Sequence, residues 1–245
     1  MKGIILAGGS GSRLHPLTLV TNKHLLPVHD MPMIYYPILT LVKDFGIEDI
    51  IIATGGNSVG DIINLLGDGS QFGANFCYVH QSKAGGIAYA LGLCRNIVKD
   101  DNMTVILGDN VFGKLINASK LPVSYHASVF LKEVSDPERF GVATIENNLL
   151  TEIIEKPKHP KSNLAVTGLY KYDSQVWEYI DALTPSQRGE LEITDVNNMY
   201  LKDGRLYYST IREEIFWSDA GTFDSLKKST DAVAENRKNF HKGIK

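Results

Sequence analysis

The sequence predicts an α/β fold with a doubly wound, Rossmann-like sheet, mixed but mainly parallel and flanked by helices. Three observations carry this reading. Short apolar runs alternate with longer segments of helical period through the first half of the chain, the runs are apolar on both faces, and the first of them ends in a glycine-rich turn.

Taken in order, residues 3–7, 49–54, 75–80 and 103–107 read as strands, and residues 33–45, 59–66 and 86–98 supply the helical crossovers that parallel strands require. The second half changes character. Residues 127–133, 141–146, 150–155 and 165–172 read as further strands extending the sheet, linked by irregular segments that contain Pro137, Pro157 and Pro160. Helices return at 175–183 and 193–201, and residues 222–239 place Phe223, Leu226 and Val233 at helical spacing. No internal repeat, low-complexity segment or flexible linker interrupts the pattern, so one domain spanning 1–245 is expected.

Composition narrows the function. With 245 residues, 43% of them apolar, the chain can bury a large core. A net charge of -3 offers no basic field for a nucleic-acid backbone, so no nucleic-acid partner is expected. The most apolar uncharged stretch, residues 31–42, contains Pro32 and Pro37 and falls short of the about 18 residues that cross a bilayer. The apolar run at residues 4–7 is too short for a signal peptide, so no membrane association and a cytoplasmic location are expected. Cys77 and Cys94 form neither a disulfide framework nor a metal spacing and read as reduced core residues.

The segment Gly8-Gly9-Ser10-Gly11-Ser12-Arg13-Leu14 leaves the first strand as a turn whose bare backbone N–H groups can cradle phosphate. Leu14 stands where a dinucleotide fingerprint needs glycine or alanine, and Arg13-Leu14 stands where a P-loop needs Lys-Ser/Thr. A tight turn needing positive φ explains such glycines equally well. Arg13 and Lys23 favour phosphate, since a guanidinium and an ammonium beside the loop can neutralise a polyphosphate. Asp109 follows an apolar strand directly and falls at the same sheet edge as the loop. Asp219, read alone, is as well explained as a cap of the helix beginning near Thr222.

These segments, with Asn22-Lys23-His24-Leu25-Leu26-Pro27, Pro32-Met33-Ile34-Tyr35-Tyr36-Pro37, Leu66-Gly67-Asp68-Gly69-Ser70 and Leu107-Gly108-Asp109-Asn110, resemble the sugar-1-phosphate nucleotidyltransferases. Asp136-Pro137-Glu138-Arg139-Phe140-Gly141-Val142, Glu155-Lys156-Pro157, Val166-Thr167-Gly168-Leu169-Tyr170, Arg188-Gly189-Glu190-Leu191-Glu192-Ile193-Thr194-Asp195 and Trp217-Ser218-Asp219-Ala220-Gly221-Thr222 continue the resemblance in the family's order. Within the family the chain is most similar to the glucose-1-phosphate thymidylyltransferases.

The resemblance implies Mg2+-dependent transfer of a nucleotidyl group from dTTP, or from UTP, to glucose 1-phosphate, and a homo-oligomer. It implies Arg13 and Lys23 as catalytic groups and Asp109 and Asp219 as the metal pair. Leu6, Gly8, Gly9, Ser10, Gly11, Ser12, Arg13, Gln81, Gly86 and Asp109 would bind the nucleotide. Gly141, Glu155, Lys156, Val166, Tyr170 and Arg188 would bind the sugar phosphate, with Trp217 also lining that pocket. The N-terminal half then binds nucleotide and the C-terminal half sugar phosphate.

Three positions depart from the family pattern: His24 replaces a glutamine, Phe140 replaces a tyrosine, and the base loop reads Lys83-Ala84-Gly85-Gly86-Ile87-Ala88-Tyr89-Ala90. They bear on which nucleotide and sugar are preferred. The chain ends at Lys245, where longer members continue with helices forming a regulatory nucleotide site, so that site is expected to be absent or incomplete. A nucleotide-sugar sensor without chemistry is the alternative from another class.

Overall fold

A computed structural model describes residues 1–56, 59–115 and 126–242. It divides into two compact units, one comprising Met1–Ala84, Ile106–Ser119 and Glu214–Lys245, the other Gly85–Val105 and Lys120–Glu213. The division does not follow the halves of the sequence, because the last residues rejoin the first unit.

In the first unit, the strand Lys2–Ala7 pairs in parallel with Asp49–Gly55, which pairs in parallel with Asn75–Gln81. Ile50, Ile51 and Ile52 are all buried, as expected of a strand covered on both faces. Asn75–Gln81 behaves otherwise. It is an end strand of the sheet order whose residues from Asn75 to His80 are exposed or half-buried, with only Gln81 buried, so Cys77 is exposed, against the expectation that it lies in the core; Cys94 is buried. The apolar run alone does not distinguish an edge strand from a central one.

The helical segment expected at 33–45 forms as an α-helix, Tyr35–Leu39, continued by a π-helical turn, Thr40–Asp44. Val59–Leu66 is helical as expected. The long helix Phe223–Glu235 is capped by Thr222, whose Oγ1 accepts from the Ser225 amide at 3.2 Å while Ser225 Oγ accepts from the Thr222 amide at 3.0 Å. The cap is therefore Thr222 and not Asp219. Two short ladders escaped the sequence reading: Pro27–Val28 against Met31–Pro32, and Asn110–Phe112 against Trp217–Asp219.

The second unit is mostly antiparallel in its strand pairing. Gly141–Glu146 and Leu149–Glu155 form a hairpin whose two linking residues, Asn147 and Asn148, have φ of 51° and 62°. Asparagine tolerates this left-handed region, which the tight turn of a twisted hairpin demands. Leu164–Tyr172 pairs antiparallel with Ala127–Glu133, and Leu206–Thr210 adds a parallel partner to the latter. Between these last strands in sequence lie the helices Val176–Asp181 and Ile193–Lys202. The expected helix at 86–98 is broken into Ile87–Gly92 and Arg95–Val98, with Gly92, a poor helix former, at the break. Parallel and antiparallel pairs both occur, so the expected mixed α/β architecture holds. No helix among the described residues is long and apolar enough to cross a membrane.

Candidate active site

The glycine turn of the first unit has two distinct steric requirements. Gly11 sits at φ 68°, which favours glycine, and its carbonyl accepts from Thr18 Oγ1 and the Leu14 amide, each at 2.8 Å. Gly8 instead lets the Gln81 side chain approach closely, since a Cβ there would lie 1.9 Å from Gln81 Oε1 and force that amide to move. Gln81 is nearly buried, and its Nε2 donates to the Lys83 carbonyl at 3.0 Å. Both a strained turn and a close approach are therefore built into one loop.

Around this loop the first unit assembles its charged groups. The Gly108 amide donates to the Leu6 carbonyl at 2.9 Å, bringing Asp109 to the end of the first strand. Lys23 stands on a short 3-10 turn, Lys23–Leu25, capped by the Asn22 side chain, and its Nζ lies 2.5 Å from Asp109 Oδ2. A Cβ on Gly9 would touch Lys23 Nζ at 3.4 Å, so the ammonium lies against the glycine backbone. Burial pushes the Asp109 carboxyl up, but Lys23 and the Asn110 amide outweigh it and hold the group well below the usual carboxylate range. Asp109 is thus ionised at neutral pH.

Asp219 lies on the strand that pairs with Asn110–Phe112, opposite Asn110 and thus next in the ladder to Asp109. The Ala220 amide donates to the Asp109 carbonyl at 2.8 Å. Arg13 is exposed, and a Cβ on Gly221 would lie 2.9 Å from its Nη2 and 3.3 Å from Asp109 Oδ2, so Gly221 leaves room for both side chains. His24 is buried. Burial, then the Lys23 charge, pushes its imidazole down to about 3, so it is neutral, with Nδ1 2.7 Å from Asn22 Oδ1.

The second unit holds a separate cluster. Glu155 ends its strand opposite Gly141, and its Oε2 accepts from Thr194 Oγ1 at 2.6 Å. Arg188 Nη2 lies 3.3 Å from Glu155 Oε1, 3.4 Å from Glu190 Oε2 and 2.7 Å from Glu192 Oε2, while its Nε donates to Glu192 Oε1 at 3.2 Å. Lys156 occupies the left-handed region at φ 43°, and its Nζ is 3.7 Å from Glu155 Oε1. A strained non-glycine residue beside a cluster of charges is a common mark of a functional site.

The model of the nucleotidyl transferase family matches residues 2–236. The chain belongs to the nucleotidyltransferase family. Among curated relatives, the glucose-1-phosphate thymidylyltransferase of Neisseria meningitidis serogroup A is 44% identical over 98% of this chain and 86% of its own length. That of Mycolicibacterium smegmatis is 42% identical over 95% and 82%. A solved structure from Bacillus anthracis, a candidate glucose-1-phosphate thymidylyltransferase in complex with sucrose, superposes with a TM-score of 0.87 at 50% identity, covering 99% and 97% of the two chains. A UDP-glucose pyrophosphorylase complexed with UDP-glucose shares the fold, with a TM-score of 0.79 at 23% identity over 96% and 99%.

For a nucleotidyltransferase, the first unit brings together most of the residues expected to act on the nucleotide. Leu6, Gly8, Gly9, Ser10, Gly11, Ser12, Arg13, Lys23, Gln81, Asp109 and Asp219 all belong to it. Gly86 belongs to the second unit, where its φ of 92° and a Leu191 carbonyl that a Cβ would approach to 2.4 Å both call for glycine. Gly141, Glu155, Lys156, Val166, Tyr170 and Arg188 also lie in the second unit. Tyr170 is buried and stacks on Tyr172 with ring centroids 5.9 Å apart. Trp217 lies in the first unit, buried in the ladder beside Asp109. Asn110 and the Asn22 cap were not singled out from the sequence, although Asn directly after Asp109 was visible in it.

Proposed function

We propose that this chain transfers a thymidylyl group from dTTP to glucose 1-phosphate, yielding dTDP-glucose and pyrophosphate, as the first step of deoxysugar synthesis. The observation that carries the proposal is the buried Lys23–Asp109 pair against the glycine loop, with Asp219 joined to it through the ladder. An oxygen of the sugar phosphate attacks the α-phosphorus, the bond from that phosphorus to the bridging oxygen breaks, and pyrophosphate leaves with the electron pair. No enzyme nucleophile is required. The first unit supplies most of the nucleotide groups, and the second supplies Gly86 and the sugar-phosphate groups, working as one nucleotidyltransferase domain in a homo-oligomer of the cytoplasm.

Asp109 and Asp219 suit Mg2+ by their chemistry. Hard carboxylate oxygens are its usual protein ligands, and the Asp109 carboxylate keeps lone pairs beyond those used by Lys23 and Asn110. Bound there, Mg2+ supplies charge neutralisation on the triphosphate. Lys23 and Arg13 hold positive charge where the phosphates crowd, reducing repulsion between two anions, and the glycine loop offers backbone N–H groups. Gln81 presents an amide with donor and acceptor ends to a pyrimidine edge. Glu155 accepts from sugar hydroxyls, and Arg188 and Lys156 meet the sugar phosphate.

Pyrophosphate release from the full chain with Mg2+ and glucose 1-phosphate, comparing dTTP, UTP, CTP, ATP and GTP, tests this. Release with dTTP that is lost in Asp109→Ala is the expected result. Greater release with UTP would move the assignment to a uridylyltransferase, which the altered loop from Lys83 to Ala90 makes the second reading. Nucleotide binding without release would favour a sensor.

A further inference from the structure

We propose that Asn110 and Trp217 are positioning residues for the Asp109 carboxylate: the Trp217 indole locks the Asn110 amide with its NH2 end facing Asp109. The inference rests on the reading of Asp109 and Asp219 as the metal pair. Trp217 Nε1 donates to Asn110 Oδ1 at 2.7 Å, and Asn110 Nδ2 donates to Asp109 Oδ1 at 3.0 Å. Lys23 Nζ donates to the other carboxylate oxygen at 2.5 Å. Each oxygen of Asp109 thus has a separate donor.

The polarity of the chain permits one arrangement. An indole N–H can only donate and an ionised carboxylate can only accept, so between them the amide must present oxygen to the indole and nitrogen to the carboxylate. Turned end for end, it would set oxygen against carboxylate and NH2 against N–H, replacing two attractions with two repulsions. Burial removes the alternative of water: Asn110 is 1% exposed, Trp217 6% and Asp109 8%.

The ladder gives this relay a mechanical purpose. Trp217 pairs with Phe112 and Asp219 with Asn110, so the strand that delivers the second carboxylate also carries the group that orients the first. The Ala220 amide on the Asp109 carbonyl ties the same strand to the Asp109 backbone. Two carboxylates that must share a cation repel each other before it arrives. A carboxylate already fixed at both oxygens is less able to turn away, and has less conformational freedom to lose on binding the metal.

Two variants separate this role from substrate contact. Trp217→Phe deletes the N–H and keeps the ring beside Phe112, and Asn110→Leu keeps the shape and deletes the amide. Mn2+ binding to the full chain, followed by electron paramagnetic resonance, is expected to weaken by about 10-fold in each. The double variant should bind no more weakly than Asn110→Leu, because the relay is already broken, and in Asn110→Leu the KM for glucose 1-phosphate should be unchanged. Unchanged Mn2+ affinity, additive losses in the double variant, or a raised KM for glucose 1-phosphate at intact Mn2+ affinity in Asn110→Leu would each overturn the proposal. If Asp109→Asn leaves Mn2+ binding of the wild-type strength, the metal assignment itself fails.

A measurement on the native chain guards against a variant that does not fold. The sequence has two tryptophans, and Trp177 donates instead to the Lys99 carbonyl at 2.8 Å. In a 15N-tryptophan-labelled protein, with signals assigned through Trp177→Phe, titration with Mg2+ should move the Trp217 indole resonance and leave that of Trp177 in place. A Trp217 resonance unmoved at Mg2+ concentrations that displace bound Mn2+ would contradict the relay.

Discussion

The two units gather similar charged groups and treat them in opposite ways. In the first, Lys23 and Asp109 meet at 2.5 Å with side chains 12% and 11% exposed; in the second, Arg188 is shared among Glu155, Glu190 and Glu192 with its side chain 40% exposed. Attraction at a given separation grows several-fold as the surroundings change from water to protein, and screening by salt fades with burial. The first cluster is therefore a fixed source of field, suited to stabilising charge during transfer. The second is open to exchange, and its guanidinium can trade carboxylates for an incoming phosphate at small cost. On the proposed function, the buried Lys23–Asp109 pair serves the chemistry, and the open Arg188 cluster serves recognition of an exchangeable ligand.

The largest effect should follow from breaking the pinned pair. Lys23→Met leaves Asp109 buried without its ammonium, and steady-state assays should show turnover lower by about 100-fold to 1000-fold. Denaturant melts of the same variant should show a loss of about 3 kcal/mol or more. An unchanged melting curve would show that the pair is not buried in the way described. Next in size, Asp219→Asn should raise the Mg2+ concentration for half-maximal activity by about 10-fold, read from a Mg2+ titration at saturating substrates.

A smaller effect concerns acid. His24 is pushed down to about 3 by burial and by Lys23, whereas an unfolded histidine titrates near about 6.5. Between those values the unfolded chain takes up a proton that the native chain refuses, so stability should fall as pH drops through that window. The contribution is about 1.4 kcal/mol per pH unit for one proton, and His24→Gln should remove it from the pH dependence of denaturant midpoints. The smallest change in stability belongs to the open cluster. Arg188→Ala should shift the melting free energy by no more than about 1 kcal/mol while raising the KM for glucose 1-phosphate, and added salt should mimic that rise.

Much of this contrast was legible in the sequence, and the reasons differ by region. The glycine loop and Asp109 follow strands whose apolar runs announce them, and Lys23 was legible as a basic residue close after the loop. Asp219 was ambiguous because its strand, Trp217–Asp219, is three residues long, too short for a period, and its partner Asn110–Phe112 lies more than 100 positions earlier. The relay from Trp217 to Asn110 was hidden by the same distance. Cys77 was misplaced because an edge strand and a central strand can carry the same apolar run, and only neighbours in space tell them apart. The second cluster was readable as charged motifs, with Glu190 and Glu192 close to Arg188 in sequence, but the approach of Glu155 depends on a hairpin whose turn is made by Asn147 and Asn148.

The most direct test of the division of labour is a paired kinetic measurement on Lys23→Met and Arg188→Met, with each substrate varied at saturation of the other. The account predicts that Lys23→Met lowers kcat severely with the KM for glucose 1-phosphate near that of the native chain. It predicts that Arg188→Met raises that KM while retaining most of kcat. Equal losses of kcat in both variants, or a KM for glucose 1-phosphate that responds to Lys23 and not to Arg188, would contradict it.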